Sequence, residues 1–266
     1  MVMRRHLYMS SQSVDKEDIA DADRFPKHSE SSLAFHFMSS FGHFFEPSSP
    51  FKDLIFESRP SNLQTNYLPH DARLSDFSEI LRTRQSTRTF GEIPLTFHEL
   101  LDILWCANGV IHDSPMGICR TAPSAGGLFP ISSLILCREV GNLPLAAFIY
   151  DPSTTQLFEK KEITLPSDLS VLFHTQHIDY SSVSAIIMWI GEILKICPKY
   201  GDRGYRYMLL ETGHIAQNAC LAATKLDIPH VVIGGFDDEL CASTFHLNFP
   251  WECVIYAMVL GKKIER

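Results

Sequence analysis

The chain has 266 residues, 45% hydrophobic and 20% charged, which suits one large globular domain or two small ones with a sizeable core. A formal net charge of −8 argues against non-specific binding of nucleic acid. Seven scattered cysteines with no C-x-x-C pair argue against a disulfide framework or zinc site and suit reduced thiols in the cytoplasm.

In chain order, residues 1–30 are rich in Ser, Asp and Lys and read as a flexible tail. Met9 to Asp23 is too polar for a signal peptide, and no apolar run reaches the length of a membrane span. Residues 31–73 carry many Phe, Ser and Pro without periodicity, as expected of an irregular extension packed on the core or on a partner. His36 and His43 lie here among phenylalanines, a setting for packing rather than metal binding.

Regular patterning begins near Leu74 and continues to the C-terminus, so 74–266 is taken as the folded domain. Phe77, Ile80 and Leu81 share one helical face. Thr96 and Glu99 form a capping box, and Leu100 to Trp105 supply a buried helix face that Asn108-Gly109 ends. Strands are expected at Ile131 to Cys137, Leu145 to Tyr150 and Gln156 to Phe158. Val183 to Ile190 reads as a central strand buried on both faces. A long helix, apolar nearly all round, is predicted for Tyr205 to Leu226, with Gly213, Ala216, Ala219 and Ala223 allowing close helix approach. His230 to Ile233 and Glu252 to Leu260 complete the strands. Helices and strands intermix without βαβ alternation, which defines an α+β class.

Four segments could carry chemistry. Arg84, Gln85, Ser86 and Arg88 offer guanidinium forks and a hydroxyl suited to phosphate oxygens, or else form a solvated basic loop. Pro123, Ser124, Ala125 and Gly126 are small enough for backbone to approach a flat ligand, or else make a tight turn. Gly234-Gly235 at a strand end, followed by Phe236 and the helix-capping candidate Asp237, could present an amide to a ring nitrogen. Lys199 and Tyr200 precede Arg203 and Arg206, and such proton-transfer groups beside a rigid helix suit an active site as well as a surface turn. Neither G-x-G-x-x-G nor a Walker loop occurs.

Together with Glu211, Gln217 and Asn218 on the long helix, these segments resemble the FMN-dependent nitroreductase superfamily. Within it the likeness is to azoline dehydrogenases of the SagB/ThcOx type, and Lys199-Tyr200 resembles the stand-alone dehydrogenases of microcin-type azole synthetases. The resemblance implies a nitroreductase-like fold with a central mixed sheet flanked by helices and an FMN site at a homodimer interface. It places the ribityl phosphate on Arg84, Gln85, Ser86 and Arg88, with Lys262 as a further phosphate ligand. Pro123 to Gly126 would line the isoalloxazine, and the Gly234 or Gly235 amide would face flavin N5. Lys199 and Tyr200 would be catalytic, one abstracting a proton as a peptide thiazoline or oxazoline becomes a thiazole or oxazole. Burial, or the neighbouring arginines, would favour a neutral lysine. A ribosomal precursor peptide and a cyclodehydratase partner follow from the same likeness. The alternatives are an NAD(P)H-dependent nitroreductase or quinone reductase, and a non-catalytic scaffold subunit.

Overall fold

A computed structural model describes residues 75–114, 117–166, 168–173, 178–263 and 265. The expected tail and irregular extension, with His36 and His43, lie outside the described residues. Helix α1, Ser75–Thr83, is amphipathic and leads into an extended strap that crosses the sheet edge. The Thr87 amide donates to the His230 carbonyl at 2.8 Å, and the Gly91 amide donates to the Lys262 carbonyl at 2.8 Å.

Helix α2, Phe97–Asn108, starts as its sequence dictates. The Thr96 side chain accepts from the Glu99 amide at 3.2 Å, and the Glu99 carboxylate accepts from the Thr96 amide at 2.8 Å. Gly109 ends the helix in an extended conformation, not a left-handed one (φ −70°). Glycine is needed there because a Cβ would collide with the Trp105 ring. A hairpin follows, β1 (Val110–Ser114) against β2 (Gly117–Arg120), which the sequence reading did not anticipate.

The main sheet contains β3 (Ile131–Cys137), β4 (Ala146–Asp151), β5 (Gln156–Glu159), β6 (Val183–Glu192), β7 (His230–Ile233) and β8 (Glu252–Gly261). Their order is β5-β4-β3-β6-β8-β7. Every pairing is antiparallel, which corrects the expected mixed sheet. Apolar runs look alike in parallel and antiparallel neighbours, so strand direction was not written in them.

Central β6 is buried on both faces, as its composition requires. Ala185, Ile187 and Trp189 join one core with α2 and the long helix α4, Arg203–Lys225. Ile186, Met188 and Ile190 join the opposite core with Leu172, Phe173 and Phe245. Burying side chains of this size stabilises by about 1.5–3 kcal/mol each, so the sheet is the rigid frame for everything mounted on its edges.

Helix α4 differs from its expected all-round burial. Ile215, Ala216, Ala219 and Ala223 are buried, but Leu209, Leu210 and Gly213 are exposed, and a Cβ on Gly213 would meet nothing. The alanines therefore serve packing within the chain. A separate short helix, α3 (Ile193–Tyr200), precedes α4, and Lys199 and Tyr200 form its last turn instead of a turn before α4. Helix α5, Asp238–Thr244, is capped by the Asp237 carboxylate, which accepts from the Leu240 amide at 2.8 Å. Among the described residues no helix is long and apolar enough to cross a membrane, and none of the seven cysteines is in a disulfide.

Candidate active site

The candidate phosphate ligands and the candidate glycine pair lie at opposite ends of strand β7, and the remaining candidates form a separate cluster. At the N-terminal end of β7, the strap bond from Thr87 to His230 places Arg84, Gln85, Ser86 and Arg88 along the sheet edge. Gln85, Ser86 and Arg88 are exposed, and Arg84 is half-buried near Cys220 and His230. Strand β8 runs antiparallel to β7, and the Gly261 amide donates to Pro229 at 2.9 Å, so Lys262 reaches the same end. Its ammonium is already paired with Glu139 at 2.6 Å, and Lys263 is paired with Glu99 at 2.6 Å. Among the described residues, the cations of this end without an ion pair therefore come from the strap rather than from Lys262.

At the other end of β7, roughly 13 Å on for a four-residue strand, stand Gly234 and Gly235. A Cβ at Gly234 would meet only the Tyr256 ring, at 3.8 Å, so a flat group has access to the backbone there. The glycine pair lies between β7 and the Asp237 cap, as the sequence implied.

The second cluster is built on the loop after β2. Ser124 closes this loop: its hydroxyl accepts from the Phe129 amide at 2.9 Å, and its carbonyl accepts from Gly127 at 3.1 Å. Gly126 takes φ +63°, a region costly for residues with a Cβ. A Cβ on Gly126 would also lie 2.5 Å from both Lys199 Nζ and Tyr200 Oη. The tips of the two candidate catalytic side chains thus converge on the loop expected to line a ring.

Their mounting explains this convergence. Pro198 inside α3 removes one backbone donor, and the Gly201 amide donates to Cys197 at 2.7 Å to end the helix. The Tyr200 ring then packs edge-on against Tyr207 of α4, centroids 5.1 Å apart, while Lys199 Nζ lies 5.3 Å from the Tyr200 centroid. Lys199 is exposed and Tyr200 half-buried, so the burial invoked for the lysine is not present in the free chain. Arg203 and Arg206 are exposed on the first turns of α4.

Behind the loop lies a carboxylate to which the sequence reading gave no role. Glu211 is 3% exposed, and neither oxygen has a hydrogen-bond partner among the described residues. Burial pushes its pKa up to about 7; Ser124, the Arg120 guanidinium and the Ala125 amide stand close enough to pull it partly back. Asn218, seven residues on along the same face of α4, donates to the Thr121 carbonyl at 3.2 Å. The seven-residue spacing of Glu211 and Asn218 was the available signal that this face of α4 backs the loop. Arg120 completes the group, its guanidinium 4.2 Å from the Phe129 ring centroid.

No group of His, Cys, Asp and Glu suited to a metal ion occurs among the described residues. The residues do fit a flavin. Among the described residues, Arg84 and Arg88 have no ion pair at one end of β7, accessible glycine backbone lies at the other, and Gly126 has no side chain to obstruct a ring.

An antiparallel sheet packed on a long helix, with small-residue loops beside it, defines an α+β protein. A model of the Nitroreductase family matches residues 81–262, and the chain belongs to that family, whose members are flavin oxidoreductases. It is 29% identical over 188 residues to the nitroreductase-type protein MJ1384 of Methanocaldococcus jannaschii, covering 70% of this chain and 91% of that one. It is 30% identical over 154 residues to the microcin B17-processing protein McbC of Escherichia coli, covering 53% of each. Among solved structures, a chain of the E. coli microcin synthetase McbBCD complex, bound to truncated pro-MccB17, superposes with TM-score 0.67 at 18% identity. That match covers 88% of this chain and 92% of the other. A nitroreductase fold from Ralstonia eutropha gives TM-score 0.61 at 24% identity, covering 77% of this chain and 93% of that one.

Proposed function

We propose that this chain is an FMN-dependent dehydrogenase that oxidises peptide thiazolines or oxazolines to thiazoles or oxazoles. The observation that carries the reading is the convergence of Lys199 Nζ and Tyr200 Oη on Gly126. Similarity to McbC and to the pro-peptide-bound McbBCD complex supports it.

Aromatising an azoline ring removes one carbon-bound proton and one hydride. When bound, FMN supplies the two-electron acceptor for the hydride. The protein must then supply a base, and the Lys199 amine and Tyr200 phenol are the two groups whose tips meet at the loop. One takes the proton as the other hydrogen-bonds it, a pairing that holds the acceptor atom in place. Arg84, Gln85, Ser86 and Arg88 hold the phosphate, with Lys262 reaching it only by leaving Glu139. Pro123, Ser124, Ala125 and Gly126 line the ring, and Gly234 or Gly235 offers it a backbone amide. The Tyr200–Tyr207 contact fixes the phenol against α4.

The substrate on this reading is a ribosomal precursor peptide, and a cyclodehydratase that makes the azoline is the expected partner. A homodimer would cover Leu209, Leu210 and Gly213 on α4. The thiols suit a reducing cytoplasm. A conventional NAD(P)H-dependent nitroreductase is the second reading, favoured by the near full-length match to MJ1384.

The deciding experiment supplies purified, FMN-loaded protein with an azoline-bearing peptide and follows mass loss by mass spectrometry. Loss of two hydrogens per ring, abolished in Lys199→Ala and Tyr200→Phe with FMN retained, is the expected result. Rapid flavin reduction by NAD(P)H with no azole formed would replace this reading with the second.

A further inference from the structure

The loop from Thr121 to Pro130 is anchored at its two ends and not at its centre. At its start, Asn218 of α4 donates to the Thr121 carbonyl at 3.2 Å. At its end, the Glu192 amide donates to the Pro130 carbonyl at 2.8 Å. Between these anchors the hydrogen bonds among the described residues are internal to the loop. The Gly127 amide donates to the Ser124 carbonyl, the Phe129 amide to the Ser124 hydroxyl, and the Leu128 amide to the Ala125 carbonyl. A turn bonded to itself in this way shifts as one piece, and it carries Gly126 against Lys199 Nζ and Tyr200 Oη.

Glu211 stands behind that centre. It is 3% exposed, and both of its oxygens lack a hydrogen-bond partner among the described residues. The Ser124 side chain, the Arg120 guanidinium and the Ala125 amide nevertheless lie beside it, near but outside hydrogen-bond geometry. Ser124 Oγ accepts from the Phe129 amide, which leaves its own proton to donate. A buried acceptor left unmatched is costly, and hydrogen bonds to an ionised group are the strong ones. A small shift of the loop toward α4 satisfies the carboxylate and two loop donors together.

We propose that Glu211 is a positioning residue for Lys199 and Tyr200: its carboxylate draws in the Ser124 hydroxyl and the Ala125 amide, and so sets how far Gly126 stands from Lys199 Nζ and Tyr200 Oη. The role rests on the peptide-dehydrogenase reading, but the clasp itself requires no turnover. Ionised Glu211 accepts from both donors. Protonated Glu211 spends one oxygen on its own proton and releases the centre of the loop. Burial delays ionisation to a pKa of about 7, so both forms are present near neutrality. Of the groups around it, Arg120 on β2 is the charged one that acts on Glu211 directly, and Asp151 and Tyr150 on β4 act on Arg120 in turn. Lys199 and Tyr200 on α3 lie across Gly126, and His214 on α4 is exposed. Helix α2, packed along α4, buries Leu100, Ile103, Leu104, Ala107 and Asn108, none of them charged.

The test follows the Ala125 and Gly126 amide signals of the full chain by NMR between pH 5 and pH 9, in native protein and in Glu211→Gln. Expected in the native protein is one shared transition with its midpoint near pH 7, the Ala125 proton moving downfield as the carboxylate forms. Glutamine keeps the shape of the side chain without its charge, so the transition should vanish in the variant. With FMN-loaded protein and an azoline-bearing peptide at pH 8, Glu211→Gln should lower kcat by about a hundredfold with KM little changed, the scale of a misplaced reacting group. Native amides that do not titrate, a transition that persists in Glu211→Gln, or an unchanged kcat in that variant would each overturn the role. The native titration needs no variant, so a poorly folding Glu211→Gln would not shelter the proposal. Azoles formed by a protein whose loop amides do not titrate would sink the clasp alone. A transition lost in Glu211→Gln, with no azole formed by the native protein, would sink the dehydrogenase reading and leave the clasp standing.

Discussion

The two ends of the candidate site are made differently. The strap end, Arg84 to Arg88, is surface chain tied to the sheet by single backbone bonds, and its polar side chains are largely exposed. The loop end is buttressed by α3 and α4, backed by a buried carboxylate, and shaped around a glycine that cannot be replaced without touching both Lys199 and Tyr200. Binding energy drawn from exposed charges is modest and divisible, whereas chemistry needs fixed positions. The strap should therefore govern how tightly cofactor is held, and the loop should govern what is done with it.

The largest effect should come from breaking the loop end at its proposed proton-transfer groups. Tyr200→Phe and Lys199→Ala are each expected to lower the azole-forming rate by about 10²–10⁴-fold, the usual worth of a positioned acid or base. Bound FMN, read from its visible absorbance, should stay constant. Equal losses of rate and of bound flavin in these variants would erase the division between the two ends.

Next in size is a pH effect at Glu211. Its folded pKa of about 7 lies above the ordinary glutamate value of 4.5, so the native state binds the proton more tightly than the unfolded chain does. Stability from this group is complete below about pH 4.5 and is lost as pH rises through 7, amounting to about 3 kcal/mol from the two values. Urea unfolding at pH 5 and pH 8 should show that loss in the native protein and a smaller one in Glu211→Gln. Asp238, pushed up to about 6 by burial, contributes in the same direction and should persist in the variant. An identical pH slope in both proteins would mean that Glu211 is not the buried acid behind the loop.

How much of this was open to a reader of the sequence divides along the same line. The strap, the Pro123–Gly126 loop and the Gly234–Gly235 turn were found because glycine, proline and clustered arginine announce themselves locally. The Thr96–Glu99 box and strands β3 and β7 also fell where the residues put them. What escaped depends on distant partners. Pro198 hid helix α3, because a proline six residues into a short apolar stretch reads as a turn. Strand direction in the sheet was invisible, since Val183–Glu192 would look the same in either register. Glu211 belonged to a legible pattern, but its burial beside Arg120, Ser124 and Ala125 depends on chain far from it in sequence. The solvent face of α4 at Leu209, Leu210 and Gly213 likewise depends on what does not pack there.

At the strap end the expected changes are smaller. Arg84→Ala and Arg88→Ala should each weaken FMN binding roughly tenfold, the scale of one charge-assisted hydrogen bond, while the rate at saturating FMN stays near that of the native protein. Lys262→Ala should do less, because its ammonium is already engaged with Glu139. Fluorescence titration of apoprotein with FMN measures all three. A Lys262 effect exceeding those of the arginines would show that the ion pair opens on binding and that the strap is secondary.

The smallest expected effect lies outside both ends, where it separates fold from site. Thr96→Ala removes one cap acceptor from α2 and should cost about 1 kcal/mol in urea unfolding. Glu99 would keep Lys263 through its other oxygen, so the C-terminal chain beside Lys262 should hold its position. FMN affinity and azole-forming rate should both be unchanged. If either falls with Thr96→Ala, helix α2 transmits to the site through the Glu99–Lys263 pair, and the strap end is anchored by more than its backbone bonds to β7 and β8.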